Sequence, residues 1–270
     1  IMQEHLRAGV QGEHASNLGG LLAKAIANKA GTNFAFIVDP VVVDEMQPVA
    51  KLSGHPLIPR RSIFHALNQK AVARKTAKKM GKKYEEVNLI VAHMGGGISI
   101  GAHQKGKVID VNNALNGDGP FAPERSGGLP AADLVKLCFS GKYDLKDVLT
   151  MLRGKGGMVA YLGTNDMRQT KQRIQQGDKE AELVYRAMAY QVAREIGLLA
   201  AVLKGKVDGI ALTGGLAYDD DFVGLIEEFV GWIAKVYVFP GEEEMEALAQ
   251  GALRVLTGEE KAKIYAPENK

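Results

Sequence analysis

Apolar residues recur at helical spacing over residues 18–30, where Gly31 supplies a stop, and again over residues 66–80, ending before Gly81. Between them Phe34-Ala35-Phe36-Ile37-Val38 is a continuous apolar run that breaks at Asp39-Pro40, the pattern of a buried strand delivering an acid at its tip. Residues 87–93 predict a second buried strand, followed at once by Gly95-Gly96-Gly97. Residues 98–103 then alternate apolar and polar, 104–107 make a turn, and 108–111 return as a strand. Residues 113–128 are polar and rich in Gly and Pro, and long enough to predict a working loop rather than a passive connector. Helices are predicted over 131–139, 145–152 and, longest, 178–204. A strand over 208–213 runs into Gly214-Gly215, and a helix over 222–233, a strand over 236–239 and a helix over 242–256 follow. Strands and helices alternate late while the middle holds a hairpin, so the fold class is α/β with parallel and antiparallel strands in mixed sheets.

Composition narrows the function classes. The chain has 270 residues, 46% hydrophobic and 24% charged, an ordinary globular balance with room for one large domain or two smaller ones. The net charge is +3, and the positives are spread out apart from the stretch 70–83, which reads as a solvated helix face. That argues against a nucleic-acid partner. The single cysteine, Cys138, excludes an intrachain disulfide and points to a reducing cytoplasm. No run approaches the ~18 apolar residues of a membrane span. Glycine is in excess, 32 of 270, so several places need close backbone approach or positive φ. The chain opens Ile1-Met2, with no initiator methionine in first place and no basic-then-apolar leader, which is how a chain with residues belonging before Ile1 would read.

The candidate chemistry sits at the strand ends. His93-Met94-Gly95-Gly96-Gly97-Ile98-Ser99 and Leu212-Thr213-Gly214-Gly215-Leu216 fit neither a P-loop nor a G-x-G-x-x-G fingerprint. A glycine turn between two strands is either a tight hairpin or a nest of backbone N–H groups that admits a phosphate. Asp39 is a metal-binding strand-tip acid or the start of an Asp-Pro turn. His65, after Phe64 and near a helix start, and Arg125, in Pro123-Glu124-Arg125-Ser126-Gly127-Gly128, are either structural or anion-binding. The run Glu242-Glu243-Glu244 opens a helix whose N-terminus acids complement. No histidine pair has i, i+4 spacing, so a transition-metal site is not predicted.

Taken in order, Val38-Asp39-Pro40, Arg61-Ser62-Ile63-Phe64-His65, the His93–Ser99 segment, the loop from Gly117 to Gly128 and Leu212-Thr213-Gly214-Gly215 resemble the acetate kinase family. The wording, including Gln11-Gly12-Glu13-His14-Ala15-Ser16-Asn17, is similar to its butyrate kinase branch, and the resemblance covers essentially the whole chain. It implies the two-domain actin/Hsp70-like (ribonuclease H-like) fold with ATP in the cleft and part of the first domain upstream of Ile1. Residues 1–43 plus 244–270 would be the remainder of that domain and 44–243 the second. The implied activity is ATP-dependent phosphorylation of the carboxylate of butyrate or a similar short or branched fatty acid. The alternatives are an acetate or propionate kinase, or a non-catalytic ATP-binding module of the same superfold.

Residue by residue, the resemblance implies that Asp39 lies at the active metal centre and that Glu243 helps hold Mg²⁺. His65 and Arg125 would contact the transferring phosphoryl group, and His93 with Gly95, Gly96 and Gly97 would form the phosphate hairpin. Asp166, Met167 and Arg168, with Gly214, Gly215 and Leu216, would surround the adenosine. Phe64 would wall the acyl pocket, with His14 and Asn17 near it. The cofactors implied are ATP/ADP and Mg²⁺, and the assembly a homo-oligomer. Gly96 stands where acetate kinases have asparagine, and Ala217 replaces the second glycine of the adenosine loop.

Overall fold

Five strands form one mixed sheet in the computed structural model, which describes residues 2–8, 10 and 17–265. They are β1 (Asn88–Met94), β2 (Ile98–Gln104), β3 (Lys107–Val111), β4 (Gly209–Gly214) and β5 (Val236–Pro240), in the order β3-β2-β1-β4-β5. β2 pairs antiparallel with β1 on one side and with β3 on the other; β4 pairs in parallel with β1, and β5 in parallel with β4. The described helices are α1 (Met2–Ala8), α2 (Asn17–Lys29), α3 (Ala66–Lys79), α4 (Ala131–Cys138), α5 (Leu145–Leu152), α6 (Met158–Leu162), α7 (Met167–Gln175), α8 (Lys179–Val202), α9 (Asp220–Val230) and α10 (Glu244–Leu256).

The central strand explains the layering. β1 is buried along its whole length, so its alternating side chains need an apolar partner on both faces. Ile90, Ala92 and Met94 face α8 and α9 in the main core, whereas Leu89 and Val91 face Val72, Ala73 and Ala77 of α3. Helix α8 buries Ala181, Val184, Tyr185, Met188, Val192 and Ile196 at three- and four-residue spacing, one stripe turned to the sheet. Each large apolar side chain buried this way contributes about 1.5–3 kcal/mol. Asp178 caps α8 by accepting from the Ala181 N–H, and Asp219 caps α9 by accepting from Asp221 and Phe222. A lost cap of this kind costs about 0.5–2 kcal/mol.

The structure corrects three expectations. Residues 34–38 form no strand: among the described residues no strand pairs with them, and Phe34 is 65% exposed. An apolar run becomes a strand only when a neighbour takes its backbone hydrogen bonds. Here the run is gripped by helices instead, with Ile37 against Gly20 of α2 and Val38 against Gly251 of α10. The stretch 70–83 is not wholly a solvated face, because Lys70 is buried and paired with Glu45 at 2.8 Å. The last helix begins at Glu244, leaving Glu242 and Glu243 ahead of it. Helices α1, α6 and α7 went unpredicted, being short or dominated by polar residues.

Candidate active site

Backbone geometry at the end of β1 defines the first wall. The Gly95 N–H donates to the Gly97 carbonyl at 3.0 Å, closing a tight turn into β2. Gly214 ends β4 beside it with φ 89°, and a Cβ there would lie 2.4 Å from the Met94 carbonyl oxygen. Only glycine permits that approach and that φ together. The glycine-rich ends of the parallel strands β1 and β4 therefore adjoin at their carboxyl ends, where α/β sheets bind ligands.

Side chains from three segments close on this corner. His65 stands just before the first residue of α3 and stacks on His93, ring centres 3.8 Å apart and planes 15° from parallel. Its Nδ1 lies 2.8 Å from Ser99 Oγ. His93 sits on the α3 face of β1, held by Asn68 Oδ1 at 2.9 Å from Nδ1 and by Glu242 Oε1 at 3.1 Å from Nε2. Arg125 reaches in from the long loop, donating to the Ala114 carbonyl at 2.6 Å. Its guanidinium lies across Gly97, where a Cβ would come within 2.1 Å of Nη1. Glu124, its neighbour, lies 3.5 Å from where a Gly96 Cβ would be and accepts from Asn165 just ahead of α7.

The corner combines one fixed positive charge, on Arg125, with the Glu242 carboxylate at its edge. Burial first, then His93 and Arg125, pushes His65 down to about 2, so its ring is neutral. Burial also lowers Arg125, which still carries its charge at neutral pH. The hydrogen bond from His93 keeps Glu242 below the ordinary carboxylate range.

The predicted residues divide into those the fold brings together and those it leaves apart. His65, His93, Gly95, Gly96, Gly97, Gly214 and Arg125 share one corner. Asp166 caps α7 and pairs with the exposed Arg168 at 3.0 Å, and Met167 is buried. The contact of Lys171 with Asp219 at 2.7 Å ties α7 to the turn that follows Gly215 and Leu216. Asp39 lies in a bend at φ 39°, 3.6 Å from Lys70 and 3.7 Å from Arg74. Glu243 pairs with Lys75, so the two acids answer to successive residues of α3. Among the described residues no three His, Cys, Asp or Glu side chains come close enough to hold a metal by themselves.

Phe64 is buried in a small cluster with Met46, Ala50, Val108 and Val111. Asn17 starts α2 and donates to the Leu6 carbonyl at 3.3 Å, and His14 lies outside the described residues. Sequence reasoning passed over Asn68 and Gln69, and named Ser99 and Glu242 without giving either a role in the site. Asn68 and Gln69 are three and four positions beyond His65, on the same helical face, and that spacing was the available signal.

A glycine-rich corner at parallel strand ends, lined by an arginine and stacked histidines, suits phosphoryl transfer, and the chain that carries it has the actin/Hsp70-like fold of the acetate and propionate kinases on which it superposes. The acetate kinase of Porphyromonas gingivalis has that fold and superposes with a TM-score of 0.80 at 20% identity, over 94% of this chain and 71% of that one. The model of the Acetokinase family matches residues 49–258, and the chain belongs to this family. It is 59% identical to the "Probable butyrate kinase" of Clostridium botulinum (strain Alaska E43 / Type E3) and 58% identical to "Butyrate kinase 2" of Clostridium acetobutylicum. Both matches run over 264 residues, 98% of this chain and 74% of each relative.

Proposed function

We propose that this protein transfers the γ-phosphoryl group of ATP to the carboxylate of butyrate, or of a similar short or branched fatty acid, giving the acyl phosphate and ADP reversibly. The observation that carries the reading is the convergence of Arg125, His65 and the 95–97 turn on one corner. The similarity to butyrate kinases over nearly the whole chain supports the choice of acid.

The chemistry suits these groups. A carboxylate is ionised at neutral pH, so the nucleophile needs no general base. One of its oxygens bonds to the γ-phosphorus in line as the bond from phosphorus to the β,γ-bridging oxygen breaks, and ADP leaves with that electron pair. The difficulty is bringing one anion to another. Arg125 supplies a fixed positive charge, His65 a neutral ring and the turn the backbone donors of Gly96 and Gly97, the Gly95 N–H being spent on closing the turn.

Asp39 and Glu243 fit Mg²⁺ by the chemistry of their oxygens, since this ion takes one or two carboxylates and completes its shell with phosphates and water. It would supply charge neutralisation on the nucleotide's phosphates, and Lys70, Arg74 and Lys75 would yield those carboxylates to it. Asp166, Met167 and Arg168, at the start of the helix that the link between Lys171 and Asp219 ties to the segment after Gly215 and Leu216, are the proposed adenosine walls. Phe64 would turn the inner side of its apolar cluster toward the acyl chain.

Further parts of the same reading are a cytoplasmic homo-oligomer and the two-domain division 1–43 plus 244–270 against 44–243. No described helix is long and apolar enough to cross a membrane. Exposed Tyr190, Phe229 and Trp232 offer an aromatic patch for a second copy.

The test is acyl phosphate formation from ATP, Mg²⁺ and butyrate, trapped with hydroxylamine, with acetate, isobutyrate and no-acid controls. Faster trapping from butyrate than from acetate is expected. Preference for acetate would move the protein to the acetate kinase reading, and no product from any short acid with ATP bound would leave a nucleotide-binding module.

A further inference from the structure

A line of polar side chains runs between α3 and the sheet, where the fold would otherwise place apolar residues. On β2 the residues facing α3 are Ser99, Gly101 and His103, all buried, while Ile98, Ile100 and Ala102 face the opposite core. Gly101 makes the line possible. A Cβ there would lie 2.6 Å from Gln69 Oε1 and 3.3 Å from His103 Nε2, so its absence opens the slot in which the Gln69 amide bridges Ser99 and His103.

The direction of each hydrogen bond follows from donor and acceptor inventories. Gln69 Nε2 lies 3.0 Å from the Ser99 carbonyl oxygen, which can only accept, so the amide is turned with its NH₂ toward Ser99. Its Oε1 then faces His103 Nε2 at 3.0 Å and, having only lone pairs to offer, accepts a hydrogen bond from the Nε2–H. With Nε2 protonated, His103 Nδ1 is an acceptor, and the Tyr84 hydroxyl donates to it at 2.7 Å. Burial pushes Tyr84 up and holds His103 down to about 3, so the phenol keeps its proton and the imidazole stays neutral.

At the other end Ser99 Oγ receives Gln69 Nε2–H at 2.8 Å and the His65 backbone N–H at 3.3 Å. Both lone pairs are taken, and its own proton goes to His65 Nδ1 at 2.8 Å. The ring proton of neutral His65 is left on Nε2. We propose that Tyr84, His103, Gln69 and Ser99 form a directional hydrogen-bond chain that fixes His65 as its Nε2–H tautomer, so that the ring presents a donor to the transferring phosphoryl oxygens. The four are positioning residues acting through His65, and the inference rests on the active-site reading of His65 given above. A neutral imidazole offers either an N–H or a lone pair, and only the N–H attracts a phosphoryl oxygen.

The test combines spectroscopy with a mutant cycle on the full chain. In ¹⁵N-histidine-labelled protein, with the His65 signals identified by their loss in His65→Ala, the proton is expected on Nε2. In Ser99→Ala it is expected to shift partly to Nδ1. Kinetically, Ser99→Ala should lower kcat about 10-fold or more, the scale at which partners orienting a histidine act. KM for both substrates should stay within about twofold, and Gln69→Met, which keeps the volume, should act alike. In a His65→Ala background Ser99→Ala should cost nothing further. A proton on Nδ1 in the parent protein, or losses that multiply in the double variant, would overturn the chain. Full activity of His65→Ala would instead overturn the active-site reading, a failure the tautomer measurement does not share.

Discussion

The two faces of one sheet do opposite work here. Toward α8 and α9, β1 and β2 present Ile90, Ala92, Met94, Ile98, Ile100 and Ala102, and that face is close-packed hydrocarbon. Toward the start of α3 the same strands present His93, Ser99 and His103, met by His65, Asn68 and Gln69. The apolar face tolerates any side chain of the right volume, because the hydrophobic effect has no direction. The polar face tolerates little, because each buried donor must meet an acceptor or cost about 1–3 kcal/mol. A period-two strand lets one backbone carry both, so the rigid layer that stabilises the fold also holds the histidines in register.

The sharpest contrast comes from removing the charge at the polar corner. Arg125→Ala is expected to lower kcat ~10²–10³-fold, the scale for a lost transition-state donor, while the melting temperature stays within a few degrees. Near-parental kcat would remove Arg125 from the chemistry. Gly97→Ala should act the same way with less force, since its methyl would meet the guanidinium and displace it. Recovery of that loss in a Gly97→Ala, Arg125→Lys double variant, where a slimmer side chain crosses the same point, would sharpen the contrast.

On the apolar face the order of effects reverses. Ile196→Ala should cost about 2–5 kcal/mol of stability by denaturant unfolding, with kcat of the folded fraction unchanged. A selective loss of kcat there would mean the two faces are coupled.

A smaller effect concerns pH. Glu195 lies on α8, and burial, aided by Asp118 against Arg60, raises it to about 7. An acid raised on folding binds more protons folded than unfolded, so its contribution to stability falls as pH rises from its ordinary value of 4.5 through about 7. Glu195→Gln should therefore stabilise at pH 8, on the order of 1 kcal/mol, and give little at pH 4. Equal thermal shifts at both pH values would refute the assignment. Smallest of all, Cys138→Ser should leave kcat and melting temperature unchanged, because the thiol is exposed on α4, away from both faces.

Much of the fold was legible. The five strands of the sheet and helices α3, α8 and α9 fall within a few residues of the hydrophobic pattern, because each buries a stripe or face whose period is written locally. The corner was legible in pieces: the two glycine turns, His65 and Arg125 each stood out, but each was compatible with a bland role until the backbone brought them together. The run 34–38 misled for the opposite reason, since apolar content reports burial and not the partner that makes a strand.

The sequence by itself determined the mixed α/β class, the helix stripes and the membership that its ordered motifs announced, all properties of spacing along the chain. Tertiary structure alone decided which glutamate of 242–244 meets His93, that Lys70 is buried, and that Gly101 leaves the slot for Gln69. Those facts depend on distances between residues far apart in the chain, and no local period records which donor will face which acceptor once the elements pack.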